Sequence, residues 1–298
     1  MYYWRVILNN NNLFQRFGSW LEKSQNDFFI NPRIEELLAR ATCAFINLNR
    51  IKNINDFCIQ QYDELENYLN IKDNEIGFWS PSLAEMFNEF SSYLSNLRIM
   101  QNLIWCITVR QCNSTANPPK SINDGIKKID KYGLDSELKV IIQEYMHCNG
   151  NYIKSCRDID QHYFPIIEHS FLQINPKKQV KVILPDNPDV QSKMKLKFDE
   201  KIDAQEFFQH SFSEFHDFSD KIAKYFGFEP RDIPHTIKNL YHRGFDERTL
   251  FLYIDNPYRC AGIEFYQNSY LKILPRELPI PRKVIKPESM VFNRIKLK

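Results

Sequence analysis

Arg157, Asp158 and His162 are the residues of this chain whose types and spacing could do chemistry. They lie in the stretch SCRDIDQHYFPIIEHSF, which begins at Ser155. An imidazole can give or take a proton near neutral pH. A guanidinium presents a planar fork of donors that matches two phosphate oxygens. On a helix, positions 158 and 162 sit one turn apart on the same face, so the Asp158 carboxylate is expected to orient His162. Arg157 lies about 140° around the axis from His162, and its long stem can curl toward a phosphate held near the imidazole. Gln161 and the lysines Lys193, Lys195 and Lys197 are candidate contacts for such a phosphate chain. The competing reading of all these residues is a solvated polar face on a core element, which helix geometry produces freely.

The elements that must position this set are legible from periodicity. Tyr152, Cys156, Ile159, Tyr163 and Ile167 recur at helical intervals, which predicts a helix with Tyr163 on its core side. Before it, Leu138, Ile141 or Ile142, Tyr145 and Met146 follow Asp135 with the same period, until Asn149-Gly150 interrupts. The sequence leaves open whether Gly150 lies inside one long helix or between two. Pro165 removes a bond to the Gln161 carbonyl and predicts a kink beside His162, within a helical segment expected to run from 135 to 172.

Three further signals build the body. Ser80-Pro81 predicts a helix start, and Leu83, Phe87, Phe90, Leu94, Leu97, Leu103, Ile104 and Ile107 continue its stripe to about Cys112. Asp203 with Glu206 forms a capping box, with Ile202 stapled onto Phe207, for a helix to 226 closed by Gly227. Its stripe is Phe208, Phe212, Phe215, Phe218, Ile222 and Phe226. Asn31-Pro32 predicts a helix over 32–49, and a second over 56–69 is expected to bury Phe57, Tyr62, Leu65 and Leu69. Ser121 with Asp124 resembles a capping box for a short helix ended by Gly133.

Val180 to Leu184 and the alternating Lys193 to Phe198 predict a hairpin with a basic outer face. Residues 2–9 are expected to be a short strand or an extended segment, Pro234 to Tyr241 a short helix, and Thr249 to Ile254 a strand. The expected fold is mostly α: a helical bundle over 31–228 with an inserted β-hairpin at 180–198. It is flanked by an N-terminal extension, 1–30, and an irregular C-terminal extension, 229–298, with a basic tail.

An Arg, a polar residue, three more residues and a His, on a late helix of an all-helical domain, resembles the HEPN superfamily. The similarity in helix order spans residues 80–228. The resemblance implies a metal-independent endoribonuclease that cleaves single-stranded RNA in a defence or toxin setting, with a possible inhibitor protein as partner. Attack by a ribose 2′-OH needs a base, an acid for the leaving oxygen and positive charge on the phosphate. One Arg157–Asp158–His162 set supplies a single proton-transfer group, so the resemblance implies a homodimer with the site at its interface. Other members of the superfamily are silent modules that bind a protein or RNA partner, and that is the alternative function.

Composition narrows the remaining classes. Hydrophobic residues at 43% and aromatics at 14% support a packed core. A net charge of +2 argues for no polyanion by itself, but the last 27 residues hold eight Lys or Arg against two Glu. Seven scattered cysteines read as thiols in a reducing, cytoplasmic compartment. No leader or membrane span is expected. His147, Cys148, Cys156 and His169 lack ordinary metal-ligand spacing, so neither a metal nor a cofactor is expected. Arg231 to His235 echoes the motif one residue short, with Pro234 breaking its register. With eight glycines and no GxxxxGK[ST], P-loop chemistry is excluded.

Overall fold

The computed structural model describes residues 15–24, 26–66, 74–77, 80–163, 170–190 and 192–230, with strands at 3–8, 241–242, 249–254, 260–265 and 271–275. The expected helix at Pro234, the Arg231 to His235 echo, Leu69, Pro165, His169 and the basic residues after 275 lie outside the described residues. The chain divides into two units, Ser24–Phe226 and a second made of Met1–Lys23 with Gly227–Lys298.

The larger unit is mostly α. Helices α2 (Ile30–Glu66) and α3 (Pro81–Cys112) form its largest interface. The Ser80 hydroxyl accepts from the Leu83 N–H at 3.2 Å, and Pro81 follows where a missing donor is harmless. The two expected helices over 32–49 and 56–69 are in fact one. Asn55, in the gap left between them, lies inside the helix and accepts from the Val180 N–H at 2.7 Å, while Ile51 and Cys58 on either side are buried. Phe57, expected inside, is 50% exposed.

After α3 comes α4 (Ile122–Ile126). Its expected cap, Ser121, makes no capping bond; Asn102 of α3 accepts from the Ile122 N–H at 3.1 Å instead. Gly133, at φ +70°, ends the following turn as its position requires. Helix α5 (Ser136–Tyr145) is capped by Asp135, α6 (Asn151–His162) carries the motif, and α7 (Ala204–Tyr225) is capped by Asp203. The Asp203 carboxylate accepts from the Gln205 and Glu206 N–H groups at 2.8 and 3.1 Å. Phe208, Phe212, Phe215, Phe218 and Ile222 of α7 are all buried, and Gly227 at φ +73° follows it.

The inserted β element differs from the predicted hairpin. Strands β2 (Glu75–Ile76), β3 (Ser170–Gln173), β4 (Gln179–Leu184) and β5 (Ile202–Asp203) form an antiparallel sheet in that order. Both edges of β4 are therefore taken, and Lys193–Lys195 is a 3-10 turn in the loop between β4 and β5. That loop bonds to itself: the Asp186 N–H donates to the Lys197 carbonyl and Asn187 Nδ2 to the Lys195 carbonyl. Alternation over 193–198 reads as strand, but both edges of β4 are already paired and the segment folds into the loop instead. Likewise α6 stops at His162, and Ser170–Gln173, expected to be helical, is strand.

In the smaller unit, α1 (Gln15–Lys23) stacks Trp20 on Phe228 at 4.6 Å between ring centroids. Strand β1 (Tyr3–Leu8) pairs in parallel with β7 (Thr249–Ile254), whose other neighbour is β6 (Tyr241–His242). Strands β8 (Cys260–Phe265) and β9 (Leu271–Pro275) form an antiparallel pair.

Candidate functional site

Helices α5 and α6 are joined by a π turn, Met146–Gly150, which keeps the rod continuous and settles the place of Gly150. The Asn151 N–H bonds five residues back, to the Met146 carbonyl. One extra residue rotates everything after it by about 100°, so the turn sets the face on which Arg157 emerges. A Cβ at Gly150 would sit 2.5 Å from Met146 Sδ and 3.1 Å from the Tyr145 ring, so any larger residue there must push the buried Met146 side chain aside. The turn is fastened by Gln101, fully buried on α3. Its Nε2 donates to the Tyr145 hydroxyl at 3.0 Å and to the Gly150 carbonyl at 3.3 Å. Its Oε1 accepts from Arg98 Nη1 at 2.9 Å.

From this anchor α3 and α6 run antiparallel with facing polar residues. Gln101 meets Gly150, Arg98 lies within electrostatic reach of Arg157 and Asp158, and Ser95 Oγ accepts from Gln161 Nε2 at 2.7 Å. Behind this seam, Ile153, Cys156 and Ile159 fill the buried face of α6.

Asp158 does not meet His162, contrary to expectation. Its carboxylate holds Lys154 Nζ at 2.8 Å, one turn back, and Arg157 Nη1 at 3.2 Å. A short side chain on a helix leans toward the N-terminal turn, and there it finds a full positive charge. Partial burial pushes the Asp158 carboxyl up, but its bonds and charges from Lys154 and Arg157 outweigh this and hold it below the usual value. His162 is exposed and its imidazole makes no hydrogen bond among the described residues; the ring stands edge-on to Tyr163 at 6.5 Å. Tyr163, expected in the core, is 48% exposed at the end of α6.

Lys193, Lys195 and Lys197 are all exposed. Their loop follows Pro185, whose carbonyl accepts from the Tyr152 hydroxyl at 2.8 Å, at the opposite end of α6 from His162. Residues 152 and 162 are about 15 Å apart along a helix axis. Periodicity did not single out Arg98, Gln101, Ser95 or Lys154. The available signals were two polar residues inside the apolar stripe of α3 and a lysine one turn before Asp158.

Arg98 is the most buried cation of the group, with 8% of its surface exposed. Burial lowers its pKa, Asp158 opposes that, and the neighbouring Arg157 adds to it. Its Nη2 reaches Ser121 Oγ at 3.3 Å. Among the described residues it has no carboxylate at ion-pair distance, and the buried Nε of Arg157 has no hydrogen-bond partner.

No group of three or more metal-binding side chains exists among the described residues, and no described helix is long and apolar enough to cross a membrane. Comparison with known proteins finds no matching family model, no matching curated protein and no matching solved structure. The functional reading therefore rests on the site's own geometry.

Proposed function

We propose that this chain is a HEPN-like, metal-independent endoribonuclease for single-stranded RNA, with Arg157 and His162 as its catalytic residues. The observation that carries the reading is the exposed His162 imidazole, free of hydrogen bonds among the described residues, five positions after an arginine already held by Asp158. An imidazole so placed can exchange a proton with a bound strand, and the guanidinium can meet the charge that develops on phosphorus. The ribose 2′-oxygen forms a bond to phosphorus as the bond to the 5′-oxygen breaks, leaving a 2′,3′-cyclic phosphate. The proton from the 2′-OH goes to a base, and the departing oxygen takes one from an acid.

One copy carries one such imidazole, so the proposed enzyme is a homodimer with two His162 side chains across its axis. Asp158 serves by holding Arg157 and Lys154. The setting is cytoplasmic, in defence or as a toxin restrained by a partner protein; the six cysteines among the described residues are free thiols, which supports a reducing compartment. The test is digestion of a single-stranded RNA in EDTA with analysis of the new ends, beside light scattering at tens of micromolar. Cyclic phosphate ends and a dimer are expected. A monomer that binds RNA without cutting it would favour the silent module.

A further inference from the structure

We infer that the α3–α6 seam is a phosphate site with two guanidinium groups, in which Arg98 backs Arg157 and Lys154 against a phosphate of an RNA strand. This deepens the proposed RNA reading by adding residues outside the motif, and it rests on that reading for the choice of RNA as the strand.

Two observations carry it. First, Arg98 is 92% buried yet has no carboxylate at ion-pair distance among the described residues; its partners are the neutral Gln101 and Ser121. A guanidinium taken out of water without an anion is unfavourable, and a second guanidinium beside it makes it more so. Second, Arg157 Nε is buried and without an acceptor, although the same side chain reaches Asp158 through Nη1. The groups around Arg98 are Asp158, Arg157, Tyr145 and Asp124, with Lys154 on Asp158 and Lys127 on Asp124 at 3.7 Å. The Asp158 carboxylate is thus shared by Arg157 and Lys154 and is the anion nearest in effect to Arg98, so the seam carries more positive charge than this carboxylate balances.

An anion entering beside Lys154 and Arg157, whose side chains are 35% and 30% exposed, would meet this surplus from the solvent side. It would compete with Asp158 for the same donors. A phosphate suits the planar fork of Arg157, and Arg98 adds field without needing to reach the surface.

The test uses a short single-stranded RNA with 2′-O-methyl groups, which lacks the nucleophile, so binding is read without cleavage. Arg98→Gln should weaken binding about tenfold, as expected for loss of a positive charge held in a poorly solvated place behind the phosphate. Lys154→Gln should weaken it about threefold and lower the slope of log affinity against log salt by about 1. Arg98→Lys should restore most of the affinity. A folded Arg98→Gln protein that binds like the parent would overturn the site. If that variant does not fold, unchanged affinity and salt slope in Lys154→Gln would overturn it instead. Binding of inorganic phosphate, seen by phosphorus NMR, with none of RNA would overturn the strand as ligand. The parent cleaving RNA while these variants bind normally leaves the proposed activity without this site. Variant-sensitive binding by a parent that never cleaves leaves the site without the activity.

Discussion

Gln101 of α3 donates to the Gly150 carbonyl of the π turn at 3.3 Å, and this bond fixes the point from which the motif helix sets out. A π turn departs from the regular helical ladder, and a side chain from a neighbouring helix can hold it in place. Gln101 does so through the Gly150 carbonyl and the Tyr145 hydroxyl, and also accepts from Arg98. One amide therefore joins the shape of α6 to the charge beside Arg157.

Gln101→Leu removes all three bonds at once and leaves the buried Tyr145 hydroxyl and an Arg98 donor without their partner. Stability should fall by about 2–4 kcal/mol. Urea unfolding followed by circular dichroism measures this, and an unchanged midpoint would mean the π turn stands without Gln101.

Gly125→Ala should also destabilise, for a steric reason. A Cβ there would run into the six-membered ring of Trp105, which is buried and packed edge-on to Tyr132 at 5.4 Å. Overpacking against a ring that cannot swing away costs about 1–3 kcal/mol. Thermal melting of the variant checks it.

Tyr163→Ala should change stability by less than about 0.5 kcal/mol, since the ring is half exposed at a helix end. A large loss would return Tyr163 to the core.

The sequence was readable where local chemistry decides and silent where a distant partner does. Ser80, Asp203, Gly133 and Gly227 mark their termini in place, because a cap acts on its own neighbours. Ser121 misled for the opposite reason, since its hydroxyl serves Arg98, and the join of α2 was hidden because Asn55 serves Val180, both far away in sequence. The mostly α fold with an inserted β element followed from apolar stripes. The four-stranded pairing did not, since Ser170–Gln173 takes the edge of β4 that the lysine-rich segment was expected to fill. At the site, spacing found Arg157 and His162 but not the choice Asp158 makes between Lys154 and His162, which is a matter of side-chain direction and charge.

Asp158 gives a signed pH prediction. Its folded pKa lies below the ordinary carboxylate value, so it adds stability above about pH 4 that is lost as pH falls through the folded value. Because the pair is one-third exposed, the contribution is at most about 1 kcal/mol. Asp158→Asn should therefore be less stable than the parent at pH 7, and the gap should close as the solution is taken toward pH 3. Urea midpoints at both pH values read it; a gap that widens in acid would contradict the ion pair.

Arg157→Ala should slow RNA cleavage by about 2–4 kcal/mol of barrier if its guanidinium meets the charge on phosphorus. His162→Ala should be at least as damaging, and it is the more direct probe because it removes the imidazole and touches none of the ion pairs around Asp158. The deciding measurement is the cleavage rate of one single-stranded RNA, in EDTA, by purified parent and by His162→Ala protein prepared identically. The account predicts cutting by the parent and none above background by the variant, with RNA binding retained. Equal cutting by both would take the activity away from His162 and contradict the assignment.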